Sequence, residues 1–176
     1  IGLWIILATI VIGGSVIIYS FFSRTGNGPH LLARLWANSI LWVSRIKVTV
    51  TGSGIDKLDP GRSYIYMANH QSNADSQVLL GRLPVQFRWL AKAELFKIPI
   101  FGRAMRGVGY ISIDRSNRKS AFESLTRAAR TIRNGTSVMI FPEGTRSRDG
   151  RILPFKKGGF VLSVDSGVPI VPIIIR

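Results

Sequence analysis

The residues with most to offer chemically are His70 and Asp75, in the stretch Asn69-His70-Gln71-Ser72-Asn73-Ala74-Asp75. A neutral imidazole accepts a proton at about pH 7, and a carboxylate behind it fixes the tautomer and steadies the imidazolium. Five residues along one continuous helix rotate the chain by roughly 500°. The two side chains therefore meet only if His70 lies in a turn and Asp75 in the first turn of a helix. The flanks permit this: Tyr64-Ile65-Tyr66-Met67-Ala68 has the length and apolar character of a strand, and Val78-Leu79-Leu80 reads as helix. Ser72 is a good N-cap, and for the same reason Ser72-x-x-Asp75 fits a capping box. Taken alone, the pair leaves both a general base with its orienting carboxylate and a strand-end histidine beside a capping residue open.

A second group of reactive residues follows another short apolar run. Phe141-Pro142-Glu143-Gly144-Thr145-Arg146-Ser147-Arg148 comes directly after Ser137 to Ile140. In open α/β sheets, strand ends converge on the ligand crevice. Gly144 lets backbone approach a ligand, Thr145 offers a hydroxyl, and Arg146 offers a planar fork suited to phosphate. The competing reading is an exposed basic turn before Asp149-Gly150, and Arg148 fits that better than Arg146 does.

Composition narrows the partners. The chain of 176 residues carries 24 Lys+Arg against 9 Asp+Glu, a formal charge of +15, with a pI near 11.4. Such a balance favours an anionic partner: nucleic acid, an acidic membrane surface or a phosphorylated substrate. A hydrophobic content of 46% is high for so charged a chain, and the two facts agree if part of it lies in lipid. The absence of Cys excludes disulfides, thiolate metal sites and Cys nucleophiles. Only His30 and His70 are present, which argues against a zinc site.

The lipid-facing part is the front. Ile1 to Ser23 has no charged residue, and a run of about 20 apolar residues spans bilayer hydrocarbon. The run is long for a signal peptide, and Tyr19-Ser20-Phe21-Phe22-Ser23 is a poor cleavage site. After the break at Gly26-Asn27-Gly28-Pro29, apolar residues from Leu31 to Ile46 recur at helical spacing with Arg34, Asn38 and Arg45 between them. This predicts an amphipathic helix in the interface, or one packed on the following domain. Residues 1–46 are thus read as two membrane-anchoring helices and 47–176 as an α/β domain. No acidic residue precedes Asp56, so the positive-inside bias places that domain on the cytoplasmic face of the membrane.

The α/β domain alternates predicted strands and helices. Strands are expected at Ile46–Thr51 (ended by Gly52-Ser53-Gly54), Ser63–Ala68, Phe87–Lys92, Gly109–Ile113, Ser137–Phe141 and Val168–Ile175. Helices are expected at Gln77–Arg82, Asn117–Arg133 and Phe160–Val164, the second with Ala121, Phe122, Leu125, Ala128, Ala129 and Ile132 on one face. Such alternation implies a mostly parallel, mixed sheet flanked by helices.

Four blocks now appear in order: Asn69-His70-x4-Asp75, Gly109-Tyr110-Ile111-Ser112-Ile113-Asp114-Arg115, Phe141-Pro142-Glu143-Gly144-Thr145-Arg146, and Val168-Pro169-Ile170-Val171-Pro172-Ile173. Together they resemble the motif blocks of the glycerolipid acyltransferases, most closely those acting on 1-acyl-sn-glycerol 3-phosphate, over nearly all of the chain after the anchor. The resemblance implies that family's sheet-and-helix fold behind a helical anchor. It also implies that His70 deprotonates the free hydroxyl of a lysophospholipid, Asp75 orients His70, and the hydroxyl attacks an acyl thioester on coenzyme A or acyl carrier protein. No bound cofactor is implied, and the likeness to the bacterial members implies the cell inner membrane; the apolar front run argues against nucleic acid. For the acceptor's phosphate it points first to Arg146, then Lys92, then Arg115, whose neighbour Asp114 could equally pair with it. Glu143 would hold Arg146 or bind glycerol, with Gly144 and Thr145 beside it; Asn69 would orient or cap the histidine turn. Lys156 and Lys157, at an expected helix start, suit the donor's phosphates or are ordinary surface lysines. Direct transfer is favoured because the chain has no Cys and no G-x-S-x-G elbow. The chain stops at the fourth block, so a further C-terminal part is expected. Rival readings are another acceptor (glycerol 3-phosphate or another lysolipid), a hydrolase, and a non-catalytic basic membrane-surface protein.

Overall fold

The structure is a computed structural model that describes residues 1–52 and 54–176; Ser53, placed by its sequence in a strand-ending turn, lies outside the described residues. The backbone forms two compact units: Ile1–Thr51, Asn73–Gln86 and Glu94–Tyr110 in the first, and Gly52–Ser72, Phe87–Ala93 and Ile111–Arg176 in the second.

The second unit is built on a five-stranded sheet of β1 (Ile65–Ala68), β2 (Arg88–Lys92), β3 (Ile111–Ile113), β4 (Val138–Ile140) and β5 (Ile170–Ile173), in the order β3-β2-β4-β1-β5. Every pairing among the described residues is parallel, so the sheet is not mixed as expected. β1 and β4 are central and buried along their whole length, which is why they read as unbroken apolar runs. Two helices belong to this unit: α5 (Arg118–Arg133) and α6 (Gly158–Ser166). α5 lays Ala128, Ala129 and Ile132 against Ile65, Val138 and Ile140, and α6 adds Leu162. Asn117 caps α5, its side-chain oxygen accepting from the Ser120 N–H at 2.9 Å. Phe122 does not join the core as predicted; it is exposed, one step round the helix from Ala121, while Ser124 is buried. The Ser124 hydroxyl is satisfied there, accepting from the Asp114 N–H and from the Arg127 guanidinium.

Burial at the sheet centre has a measurable consequence. Tyr66 is buried on β1, and desolvation, reinforced by neighbouring Tyr64, pushes its phenol from 10.0 up to about 12. The folded pKa is raised, so the unfolded chain loses this proton first. The associated stability is intact below the unfolded value and is lost as pH climbs toward the folded one. A Tyr66→Phe variant should flatten the decline in stability between pH 10.0 and about 12 seen by chemical denaturation. An unchanged decline would mean that another group controls it.

The first unit is helical: α1 (Gly2–Ser20), α2 (Asn27–Val43), α3 (Asp75–Arg82) and α4 (Phe101–Val108). α1 is, among the described residues, the one helix long and apolar enough to cross a membrane. Glycines let its neighbours close in: a Cβ at Gly28 would run into the Tyr19 ring, and one at Gly107 would lie 2.8 Å from the Ser20 Cβ. α2 buries Ala37, Ile40 and Leu41 but leaves Leu31, Leu35 and Trp42 exposed, so it both packs and presents an apolar stripe.

Three expectations fail here for physical reasons. Residues 46–51 alternate in hydropathy but form no strand, because no neighbour offers a ladder and the segment is largely exposed. α4 was not expected, since Gly102 and Gly107 mask its pattern; yet Ala104, Met105 and Val108 bury one face. Gly109, at φ 85°, closes α4, and the Tyr110 N–H donates to the Met105 carbonyl, so the run read as a strand from Gly109 begins only at Ile111.

Candidate active site

A parallel sheet delivers every strand's carboxyl end to one edge, and the predicted residues of the second unit gather there. His70 lies two residues past β1, Lys92 ends β2, Arg115 lies two residues past β3, and Phe141 through Arg146 leave β4. This is where ligands bind in open α/β folds.

The loop after β4 holds the histidine turn. The buried Glu143 carboxylate accepts from the His70 N–H at 2.7 Å with one oxygen and from the Leu153 N–H at 2.9 Å with the other. The Ser147 N–H donates to the His70 carbonyl at 2.8 Å. The His70 peptide is therefore gripped on both sides, and the half-buried imidazole stacks on Phe141 with centroids 3.8 Å apart and planes 9° from parallel. Trp89 of β2 backs Phe141, its ring 5.3 Å away and tilted by 26°. Asn69 is buried and clamps the chain end: its amide donates to the Ile175 carbonyl and accepts from the Ile175 N–H, at 2.9 and 2.7 Å.

Charge collects beside this turn. Gly144 has φ 72°, which a side chain would strain. A Cβ there would also stand 3.0 Å from the Lys156 ammonium and 3.1 Å from an Arg115 nitrogen. Arg115 donates to the Gly144 carbonyl at 3.3 Å, and the Lys156 N–H donates to the Pro142 carbonyl at 2.9 Å. Thr145 and Arg146 are exposed at the next two positions, as are Lys92 and Lys157, the last at the N-cap of α6. Further along, Asp149 is held below the ordinary carboxylate range, first by the Arg151 N–H and then by the Ser147 hydroxyl, which fixes the loop's return.

Asp75 belongs to the first unit, where it is the first residue of α3 and is buried. The N-cap position is Ala74, not Ser72, so Asp75 does not occupy the third helical position that a capping box requires. Sequence reasoning missed Phe141 as the platform under the imidazole and the Ser147 and Leu153 backbone contacts. Glu143, expected to hold Arg146 or bind glycerol, accepts from two backbone N–H groups, which sequence reasoning did not suggest. An acid inside a Pro-Glu-Gly turn at a strand end was the available signal.

This arrangement, a gripped imidazole at the carboxyl edge of a parallel sheet among cations, coincides with a family match. The chain belongs to the acyltransferase family, whose model matches residues 47–176. It is 36% identical over 170 residues to the chloroplastic 1-acyl-sn-glycerol-3-phosphate acyltransferase BAT2 of Brassica napus, covering 96% of this chain and 48% of that protein. It is 36% identical to the human 1-acyl-sn-glycerol-3-phosphate acyltransferase alpha over 144 residues, 81% of this chain and 50% of that one. The crystal structure of the 1-acyl-sn-glycerophosphate acyltransferase PlsC from Thermotoga maritima superposes with a TM-score of 0.75 at 32% identity, covering 97% of this chain and 70% of that one. The chain spans about half the length of the curated relatives it matches.

Proposed function

We propose that the chain transfers a fatty acyl group from an acyl thioester, carried on coenzyme A or acyl carrier protein, to the sn-2 hydroxyl of 1-acyl-sn-glycerol 3-phosphate, giving phosphatidic acid. His70 takes the hydroxyl proton as the oxygen–carbonyl bond forms; the carbon–sulfur bond then breaks and the imidazolium returns the proton to the leaving thiolate. Asp75 is assigned to orient the imidazole on the strength of the Asn-His-x4-Asp pattern. The observation that carries the reading is the fixed position of His70, between Glu143 and Ser147 and on Phe141, at the edge that also bears Lys92, Arg115 and Arg146. Those cations suit the acceptor's phosphate, and Lys156 and Lys157 suit the donor. The names of the relatives support this acceptor over glycerol 3-phosphate. The exposed apolar surface of α1 supports anchoring at a bilayer. The basic residues that follow α1, Arg24, Arg34, Arg45 and Lys47, support a cytoplasmic position for the catalytic domain; a bacterial inner membrane is one setting, while the Brassica relative is named as chloroplastic.

The test is acceptor discrimination. Arg146→Ala should lower kcat/KM for lysophosphatidate about 10- to 100-fold, the loss of a charge-assisted contact of roughly 1.5–3 kcal/mol. Turnover of a monoacylglycerol, which lacks the phosphate, should hardly change. Equal losses on both acceptors would remove Arg146 from the phosphate site.

A further inference from the structure

The first unit contains a cavity of about 580 Å³ whose walls include none of the candidate active-site residues. It opens where α1 ends and α4 passes it, and Gly107 makes the close passage possible by leaving the space that Ser20 fills. Its polar wall is cationic: Arg24 comes from the turn between α1 and α2, and Arg103 and Arg106 come from α4. The two α4 arginines are three positions apart and so share a face. Arg106 is fixed, donating to the Phe96 carbonyl at 2.8 Å with its guanidinium 6.0 Å from the Phe96 ring centre. Arg24 and Arg103 are exposed, and no lining residue is acidic. Three positive charges facing one space repel each other unless an anion joins them.

The remaining wall decides which anion. Ile17 and Phe21 of the α1 end line the same cavity, and Phe21, Phe22 and Ile18 continue it as exposed apolar surface. A free phosphate would satisfy the arginines and leave that rim unused; a lipid satisfies both. We propose that this cavity is a binding site for an anionic phospholipid of the surrounding bilayer, its headgroup phosphate on Arg24 and Arg103 and its chains along the end of α1. It shares no lining residue with the candidate active site and fixes the anchor by the lipid's headgroup as well as by apolar burial.

Native mass spectrometry of the detergent-purified chain tests this, with phosphatidylglycerol, phosphatidylcholine and inorganic phosphate as probes. Wild type should retain phosphatidylglycerol and not phosphatidylcholine, and inorganic phosphate should not displace it. Arg24→Ala/Arg103→Ala should weaken retention about 30-fold, ~1 kcal/mol for each cation removed. Arg118→Ala/Arg130→Ala, which removes the same charge from exposed positions on α5, should retain the lipid as wild type does. Retention unaltered by the cavity variant, an equal loss in the α5 variant, or displacement by inorganic phosphate would each overturn the proposal. Circular dichroism establishes that the variants are folded. Should the double variant unfold, Arg24→Gln alone, outside both helices, is expected to weaken retention about 5-fold, and no weakening overturns the proposal. The readout is lipid retention and not acyl transfer, so its failure and that of the acyltransferase reading are distinguishable.

Discussion

Replacing His70 with alanine is expected to cut acyl transfer to lysophosphatidate about 10²–10⁴-fold, the usual worth of a positioned general base. The loss should fall on kcat, since the cations proposed to hold the acceptor's phosphate remain, and flotation with vesicles should be unaffected, since α1 and α2 are untouched. His70→Phe is the informative companion. It keeps a flat ring for Phe141 to stack on, so it separates proton transfer from packing. Both variants should therefore lose turnover to the same degree, with the phenylalanine variant as stable as wild type. A His70→Phe enzyme with ordinary turnover would assign the chemistry elsewhere; alanine-only loss would mean that the imidazole matters as a packed ring.

Glu143→Leu is expected to produce the largest loss of stability. Its carboxylate is buried and bonded by two backbone N–H groups, those of His70 and Leu153. Leucine strands both donors, and each orphaned buried donor costs about 1–3 kcal/mol, so the variant should lose roughly 2–6 kcal/mol. Glu143→Gln keeps one acceptor but turns an amide NH2 toward the second N–H, and should lose about half as much. Urea denaturation followed by tryptophan fluorescence would report it, because Trp89 stacks against Phe141 in the same loop. Activity should fall along with stability, as the His70 peptide is released. If Glu143→Gln left stability alone and raised only the KM for acceptor, the carboxylate would serve substrate and not the turn.

The sequence disclosed the sheet centre well because β1 and β4 are short apolar runs closed by turn residues, and burial on both faces needs nothing else. It disclosed α5 through a spaced apolar face, though Phe122 shows that spacing names candidates and packing selects among them. α4 stayed hidden because its glycines answer to close approaches that local spacing does not show, Gly102 to the Phe96 backbone six residues back and Gly107 to Ser20, far along the chain. The alternation at 46–51 misled because pattern cannot supply a strand partner. At the site, His70, Arg115 and the Glu-Gly-Thr-Arg turn were legible as residue types at strand ends. Their mutual support was not. That Glu143 grips the histidine peptide, that Phe141 carries the ring, and that Asn69 ties down Ile175 across 106 positions are tertiary facts with no local signature.

The proposed reaction is direct transfer to one hydroxyl of a phosphorylated lysolipid. Its most direct measurement supplies the purified chain, in detergent, with 1-acyl-sn-glycerol 3-phosphate and an acyl thioester labelled in its acyl group. Label should appear on the sn-2 oxygen of phosphatidic acid, with none covalently held by the protein, and transfer by His70→Ala should be lower by about 10²–10⁴-fold. Label trapped on the protein, or released as free fatty acid while the lysolipid stays unchanged, would contradict it.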